Sequence, residues 1–498
     1  MRIVFAALLI VFILGAWFRI EGVISKSFAF TYDVGRDLLA VGDIVHLGKI
    51  PLIGPTTGLP GLFYGPWWYF ILTPVFILAS GNPVGIAFFM SISGMVTVLL
   101  GFKIGKSIGG VVLSIVFASL LSLSPVMVAV ASQIWSPNLI PLFIVFFMYC
   151  LHFIFVSLER KKSVRGVYLF FLGLLLGLIL DSEIVFGLLF SIGVIVSIII
   201  ALGKRLKLKD YSFFILGFFV IISPRIIFDL RHNFLMTNSL LSFIVNTFSF
   251  AHGSQRSFVP VNSFMALYNL WKDTASAGNV FLGFVLLLLV TFGLVLFYKK
   301  MKKEEKFFLK THLIILLTFL IGLSFFPGDI WGHYIVGIPV LYIFILSIAV
   351  SKALQNLKKI RFFIAFALII YLMLHVNPIQ TISRYQKPLW EGDASLYRNQ
   401  LAVVDNIYKQ ANGKDFNYVL YTPPVYDYSY KYIFSWYGKE RYGYLPKKEK
   451  ASLFFLIMEP DYQYPFRLTN WLEVRKNDGK IIKEEIGKGG IRIQTRIH

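Results

Sequence analysis

Two carboxylates and one guanidinium lie within five residues of each other in the stretch TYDVGRDLLAV. If a helix begins at Asp33, then Asp37 lies one turn further on and Arg36 lies on the same side of the helix. Carboxylate oxygens suit a hard divalent cation, so both aspartates and a further loop carboxylate could form a metal site. No ligand spacing fixes such a site, and the alternative is a solvated loop whose aspartate caps a helix.

The residues that follow predict the elements that must hold these charges. Leu38, Val41 and Val45 recur at helical spacing and give the helix an apolar face. A helix of this kind lies at a membrane surface with its carboxylates just outside the lipid. A loop rich in proline and glycine follows. After it comes an aromatic cluster of the type found at membrane interfaces: Phe63, Tyr64, Trp67, Trp68 and Tyr69.

The composition of the whole chain indicates a membrane protein with many spans. Of 498 residues, 57% are hydrophobic and 15% are charged, and the mean hydropathy is +0.72, which no soluble globule of this length shows. The net charge of +22 fits cytoplasmic loops that meet lipid headgroups, and no nucleic-acid partner is predicted. The single cysteine, Cys150, excludes an intrachain disulfide. Residues 2–18 resemble a signal peptide without a cleavage site, so they predict an uncleaved first span.

Apolar runs predict about eleven membrane spans. They cover residues 3–18, 84–101, 108–128, 138–157, 166–180, 184–202, 211–228, 279–298, 308–326, 333–351 and 361–376. Lysine and arginine cluster at every second connection, which places those connections and the N-terminus in the cytoplasm. This topology requires residues 67–81 to be a partial or re-entrant segment, because a full span there would reverse every later loop. The chain is therefore predicted to be a multi-pass protein of the cell membrane.

The same topology puts the polar residues near helix ends on the extracytoplasmic face. Charged groups at membrane depth are costly and tend to mark functional sites. Any one of these side chains could simply be solvated, but five loops that converge on one side favour a shared cavity. The five loops carry Asp33 with Arg36 and Asp37, Gln133 with Asn138, Asp181 with Glu183, Asp229 with Arg231 and His232, and Asp329 with His333 and Tyr334.

The predicted fold is an all-α polytopic membrane domain, residues 1–376, followed by a small extracytoplasmic α/β domain, residues 377–498. The membrane domain contains a first external loop, 19–66, and a second long external segment, 230–277. In the C-terminal domain a helix is predicted at 394–411, and strands are predicted at FNYVLYT, SLFFLIME, KIIKEEI and IRIQTRI. The tyrosine-rich stretch after the first strand favours core and interface packing over sugar stacking.

Several of these motifs together resemble one known family. The stretch YDVGRDLLAVGDIVHLGKIPLIGPTTGLPGLFYGPWWYFILTP follows a first span and opens a helix with an acidic pair. SPVMVAVASQIWSPN, FDLRH and GHYIVGIPVLYIF extend the likeness over about residues 1–376. The sequence resembles the bacterial branch of the protein O-mannosyltransferase and lipid A aminoarabinose transferase superfamily, which are GT-C class glycosyltransferases. The family commonly has Asp-Glu in the first loop, whereas here Val34 follows Asp33 and Asp37 would supply the second carboxylate.

The resemblance implies an enzyme that moves a sugar, mannose or another hexose, from a polyprenyl-phosphate donor to an acceptor outside the membrane, with inversion. The acceptor would be a protein, a lipid or a glycan. Asp33 would be the general base, with Asp37 sharing that task or orienting the acceptor. Cations would bind the donor phosphate, namely Arg36, Arg231, His232 and His333. Polar groups would bind the sugar or acceptor, namely Tyr64, Gln133, Asn138, Glu183, Asp229 and Tyr334.

Some of these assignments have structural alternatives. Arg231 could form an ion pair with Asp229 that only fixes the loop. His333 could pack against Trp331 and Tyr334. Gln133 and Asn138 could equally cap the helices around Pro137.

Two other functions compete with the transferase. A lipid-linked sugar flippase without transferase activity needs polar residues through the middle of its spans, but segments such as 285–297 and 313–321 are almost purely apolar. A non-catalytic membrane scaffold that presents the C-terminal domain would leave the Asp33 loop unexplained. The chain has no Walker loop and no Cys/His cluster, which weighs against nucleotide-driven transport and zinc chemistry.

Overall fold

The computed structural model describes residues 2–248, 260–326, 328–376, 393–423 and 426–498. Up to residue 376 these ranges are helical except for short connections and one long loop, 48–66. The helices are α1 Arg2–Ile24, α2 Tyr32–Leu47, α3 Trp67–Leu78, α4 Pro83–Gly109, α5 Val111–Leu123, α6 Pro125–Ala131, α7 Ile140–Glu159, α8 Gly166–Ser182, α9 Ile184–Leu202, α10 Leu208–Arg231, α11 Leu235–Phe248, α12 Pro260–Ser276, α13 Val280–Phe297, α14 Lys303–Ser324, α15 Ile338–Asn356 and α16 Arg361–Val376.

Helical segments coincide with the predicted spans, but the predicted number of eleven spans is not confirmed. Within the described ranges, seven helices are long and apolar enough to cross a membrane, and the bent pair of α5 and α6 would make an eighth. Helices α3 and α8 are apolar but shorter. The predicted external segment 230–277 contains α11 and α12, and its residues 249–259 lie outside the described ranges.

The predicted span at 108–128 is not a single straight helix, because the chain breaks there twice. Gly110, at φ +90°, separates α4 from α5. Ser124 is extended, at φ −60° and ψ 124°, as expected for a residue that precedes a proline. Pro125 then opens α6 at an angle of 61° to α5.

Helix α3 has both of its ends on the same side of the molecule. Near its start, Trp68 donates a hydrogen bond to Asp37 of α2. Just past its end, the carbonyl oxygens of Ser80 and Gly81 accept hydrogen bonds from the C-terminal domain, which also packs on α2. Twelve residues span only about 18 Å, against about 30 Å for a hydrocarbon core. This arrangement supports the prediction of a partial segment.

Glycines bring α8 and α10 into close contact. A Cβ atom at Gly173 would lie 1.9 Å from the backbone oxygen of Phe214, and one at Gly217 would lie 2.0 Å from that of Phe170. The two backbones therefore touch, as small residues allow in membrane helices. This helix contact fixes the positions of Asp181 and Arg225, which lie eight residues further along α8 and α10.

The C-terminal domain contains the four predicted strands and the predicted helix. Its elements are α17 Tyr397–Ala411, β1 Phe416–Tyr421, α18 Tyr428–Ile433, α19 Lys439–Tyr442, β2 Leu453–Met458, α20 Pro465–Val474, β3 Lys480–Ile486 and β4 Arg492–Ile497. The sheet order is β1-β2-β4-β3. Strands β1 and β2 are parallel, and the β2–β4 and β3–β4 pairs are antiparallel. The predicted boundary at 376/377 adjoins residues 377–392, which lie outside the described ranges.

Tyrosines build the core of this domain, as predicted. Tyr408 is buried and stacks on Tyr442 with ring centroids 4.5 Å apart, and its hydroxyl donates to the carbonyl of Tyr444 at 2.9 Å. Tyr430 and Tyr432 are buried as well. Packing therefore accounts for most of the tyrosine-rich stretch.

The C-terminal domain docks on the start of α2. The amide of Phe30 donates to Ser395 O at 2.7 Å, and Phe28 stacks on Tyr397 at 5.1 Å. A Cβ atom at Gly35 would lie 2.4 Å from the backbone carbonyl of Tyr428. Only glycine admits so close an approach, so α18 rests directly on the turn of α2 that carries the acidic pair.

Candidate active site

The predicted charge cluster on α2 forms as the helical spacing requires. Arg36 Nη1 lies 2.7 Å from Asp33 Oδ1, and Arg36 Nη2 lies 2.8 Å from Asp37 Oδ1. One guanidinium therefore bridges two carboxylates on the same side of the helix.

The two carboxylates have different environments. The Asp37 side chain is only 4% exposed, and its Oδ2 accepts a hydrogen bond of 2.8 Å from Trp68 Nε1. Burial raises the pKa of Asp37 to about 6, although Arg36 and Trp68 oppose that shift. The Asp33 side chain is 26% exposed, so Asp33 is the more accessible member of the pair.

A second polar cluster lies where loop 48–66 meets the junction of α8 and α9. Tyr64 Oη donates to Glu183 Oε2 at 2.9 Å, and the Trp67 amide donates to Asp181 Oδ2 at 3.3 Å. On its other side, Asp181 Oδ1 lies 3.2 Å from Arg225 Nε of α10. Burial raises the pKa of the Glu183 carboxyl to about 7, and burial together with Glu183 raises the pKa of Tyr64.

Tyr64 connects the two clusters. Its phenol interacts electrostatically with Glu183 and Asp33 and with the phenol of Tyr334. Tyr334 in turn interacts with Glu183. Groups from α2, loop 48–66, the α8–α9 junction and the segment before α15 therefore lie within electrostatic range of one another, while the shared cavity stays a prediction.

The end of α10 supplies exposed cations beside this region. Asp229 accepts hydrogen bonds from the amides of Met236 and Thr237, at 2.6 Å and 3.3 Å, so it fixes the start of α11. Thr237 Oγ1 also donates to this carboxylate, so Asp229 binds the start of α11 and makes no ion pair with Arg231. Arg231 and His232 are exposed, and Arg231 makes no ion pair within the described ranges.

Aromatic contacts place this helix end next to loop 48–66. His232 stacks on Phe228 at 4.0 Å, and Phe228 meets the ring of Phe63 edge to face at 5.6 Å.

The remaining predicted residues lie among aromatic or backbone neighbours. His333 packs edge to face on Trp135 at 5.0 Å and on Tyr334 at 4.4 Å, in agreement with the packing alternative. Asn138 is buried and donates to the backbone oxygen of Gln133 at 3.2 Å, while the Gln133 side chain is exposed.

The structure does not point to a metal centre. Within the described ranges, no group of three or more histidine, cysteine, aspartate or glutamate side chains is arranged to hold a metal ion. Arg36 occupies the space between Asp33 and Asp37 in which a cation would sit.

Sequence reasoning did not predict the contacts of three residues of the site. Trp68 was assigned only to an interface belt, yet it holds Asp37. Arg225 was not selected at all, and Asp181 was noted without a partner. A signal was present, because Gly173 precedes Asp181 by eight residues and Gly217 precedes Arg225 by eight, a spacing that puts each pair on one helix face.

Comparison with known proteins identifies the fold. No family model matches the sequence, and no curated protein matches it significantly. The structure is similar to ArnT from Cupriavidus metallidurans bound to undecaprenyl phosphate, with 12% identity, a TM-score of 0.55 and coverage of 99% of this chain and 97% of that chain. The apo state of the same ArnT gives 11% identity, a TM-score of 0.57 and the same coverage.

A third similar structure is an oligosaccharyltransferase from Archaeoglobus fulgidus in complex with Zn and sulfate. It has 13% identity and a TM-score of 0.52, over 86% of this chain and 61% of that chain. Both kinds of neighbour are GT-C glycosyltransferases, so the resemblance predicted from the motifs is confirmed at the level of the fold. The chain is a multi-pass membrane protein with the GT-C glycosyltransferase fold.

Proposed function

We propose that the chain is a membrane glycosyltransferase that moves a sugar from a polyprenyl-phosphate donor to an acceptor hydroxyl at the face where α2 lies. The observation that carries the proposal is the partly exposed Asp33 carboxylate, which pairs with Arg36 near Tyr64 and Glu183. The fold is also that of an ArnT structure bound to undecaprenyl phosphate.

The donor phosphate is proposed to bind at Arg231. Arg36 and Arg225 already pair with carboxylates, whereas Arg231 is exposed and makes no ion pair in the described part of the chain. The neighbouring side chains Leu230 and Ile227 are apolar and are 59% and 44% exposed. A guanidinium at the end of an apolar helix surface suits an anionic headgroup on a long hydrocarbon tail.

Asp33 is proposed to be the general base of a single displacement. The acceptor oxygen forms a bond to the anomeric carbon while the bond from that carbon to the phosphate oxygen breaks. The acceptor proton passes to the Asp33 carboxylate, and the polyprenyl phosphate leaves with the electron pair of the broken bond. One displacement inverts the anomeric configuration. Asp37 is too buried to meet the acceptor and holds Arg36 in place.

The test compares two aspartates of the same helix. Asp33→Asn should lower transfer from radiolabelled undecaprenyl-phosphate mannose, or another undecaprenyl-phosphate hexose, by about 10²–10⁴-fold, the usual contribution of a general base. Asp43→Asn is the matched control, because Asp43 is half-exposed on α2 and pairs with Lys49. Equal transfer by the two variants would refute the assignment of Asp33.

The same assay separates the transferase from a flippase. A transferase releases undecaprenyl phosphate and forms a new sugar–acceptor bond, whose configuration is read by NMR spectroscopy. A flippase moves the lipid across the bilayer and leaves the sugar attached to it. Transbilayer movement without any loss of sugar from the lipid would contradict the proposal.

The face that bears Asp33 is proposed to be extracytoplasmic, since the basic connections lie at the other ends of the spans. Cys150 is buried and is the only cysteine, so Cys150→Ser gives a background for single-cysteine labelling. In intact cells, Asp43→Cys should react with an impermeant maleimide and Lys161→Cys should not. The opposite pattern would reverse the topology.

A further inference from the structure

A basic cavity lies at the end of the membrane domain far from the candidate active site. Its volume is about 620 Å³, and it is bounded by the connections α7–α8, α9–α10 and α13–α14. Just before α7, Ser136 donates a hydrogen bond to the carbonyl of Ser182 at the α8–α9 junction, and the 20 residues of α7 place Glu159, at the cavity rim, about 30 Å away. The basic side chains that line this cavity are Lys161, Lys162, Arg205, Lys207, Lys209 and Lys303.

The charges of this basic cavity are far from balanced. Its acidic residues are Glu159 and Asp210. Glu159 pairs with Arg205 and with Lys303. Asp210 accepts the backbone amide of Lys207 at 2.8 Å and so caps the start of α10.

Four lysines of the basic cavity have no compensating partner. Within the described ranges, Lys161, Lys162, Lys207 and Lys209 make no ion pair. Six basic and two acidic side chains leave a formal charge of +4 in a recess between three loops. Like charges at this density repel each other, so an anion that enters the recess is bound favourably.

The surroundings of the basic cavity indicate that this anion carries a hydrocarbon chain. Helices α8 and α10 start at its edge, and their first apolar residues face outward. Val167 is 50% exposed, Leu208 is 88% exposed and Phe213 is 44% exposed. A soluble anion would gain nothing from this surface, whereas the acyl chain of a lipid would cover it.

We propose that the basic cavity binds the phosphate headgroup of an anionic bilayer lipid, with the lipid chains along α8 and α10. An excess of lysine and arginine in cytoplasmic loops is expected for topology alone. That general rule does not explain why loops from three connections enclose one recess and leave four lysines unpaired in it. Basic pockets between membrane helices on the cytoplasmic side are a known mode of lipid recognition. The inference is independent of the proposed transferase activity.

The test uses two double variants of the full chain, purified in detergent. Lys161→Gln with Lys162→Gln removes two charges from the basic cavity. Lys358→Gln with Lys359→Gln removes two adjacent exposed charges from another basic connection and is the matched control. Native mass spectrometry measures the binding of phosphatidylglycerol, with phosphatidylcholine as the zwitterionic comparison.

The cavity variant should bind phosphatidylglycerol about 30-fold more weakly than the wild-type chain, taking about one kilocalorie per mole for each lysine. The control variant should bind it as the wild-type chain does. Equal loss in both variants, or no preference for phosphatidylglycerol over phosphatidylcholine, would overturn the proposal. Inorganic phosphate could instead displace the lipid and bind alone with similar affinity. That result would assign the cavity to a soluble anion and refute the proposed lipid site.

Discussion

Gly65→Ala should destabilise the protein far more than such a substitution usually does. A methyl group at Gly65 would lie 1.5 Å from Asp181 Oδ1 and 2.0 Å from its Cγ, so the carboxylate must withdraw. Gly65 has no positive φ, and alanine therefore causes no backbone strain. Withdrawal breaks the 3.2 Å ion pair with the buried Arg225. Removing one partner of a buried pair costs about 3–5 kcal/mol.

Gly58→Ala is the matched control, because Gly58 lies in the same loop, has no positive φ and has nothing within 4 Å of the added Cβ. Its effect should stay within about 0.5 kcal/mol. Unfolding of both variants is followed in detergent by loss of tryptophan fluorescence. A double-mutant cycle with Asp181→Ala isolates the mechanism, since alanine at position 65 then meets no carboxylate and should add little further cost.

Two results would refute this reasoning. One is equal stability of Gly65→Ala and Gly58→Ala. The other is the same cost of Gly65→Ala in the wild-type and the Asp181→Ala backgrounds. Either result would mean that Asp181 does not hold loop 48–66 against α8 and α10.

Three further predictions concern the groups around α2 and α10. The fold raises the pKa of Asp37 to about 6, so between about pH 4 and pH 6 the folded protein keeps a proton on Asp37 that the unfolded chain has lost. The free energy of unfolding of the wild-type protein should therefore fall as the pH rises through this interval, and Asp37→Asn should lack that part of the decrease. Gly35→Ala should undock the C-terminal domain and speed the hydrogen exchange of residues 26–30. Gly42→Ala is the control and should leave this exchange unchanged, because its added Cβ would meet only a ring atom 3.8 Å away. Equal exchange in the two variants would contradict the docking. Asp229→Ala should lower the free energy of unfolding by about 1 kcal/mol, because the contacts with α11 are lost. Arg231→Ala should weaken the binding of undecaprenyl phosphate about tenfold and leave the free energy of unfolding unchanged. The opposite result for the two variants would contradict both assignments.

Sequence patterns predicted the elements well because each depends on local periodicity. Helix α2 begins at Tyr32, one residue before the predicted start at Asp33. The four strands of the C-terminal domain fall within the four predicted stretches. The spacing of Asp33, Arg36 and Asp37 also sufficed to predict their shared side, because contacts between residues three and four apart follow from the helix itself.

Contacts between distant segments could not be predicted in the same way. Trp68 binds Asp37 across 31 residues, and the backbone of Tyr428 reaches Gly35 from the other end of the chain. No periodicity in either segment specifies its partner. Arg225 was overlooked because a single charge in an apolar run indicates that a partner exists but does not identify it. Asp181 is brought to Arg225 by glycines that let the backbones of two helices touch, and such a contact has no pattern within either segment.

The short α3 has a consequence for the lipid around it. Under the proposed topology, a twelve-residue apolar helix with both ends tied to one side takes up area in one leaflet only. Its outward residues, with Ile77 at 57% and Leu78 at 88% exposure, enter only about 5–10 Å below the headgroups. The acyl chains underneath must therefore splay to fill the volume that a full span would have taken. A bulky, branched isoprenoid would find its loosest-packed surroundings at this place, under the helix whose first turn holds Asp37 through Trp68.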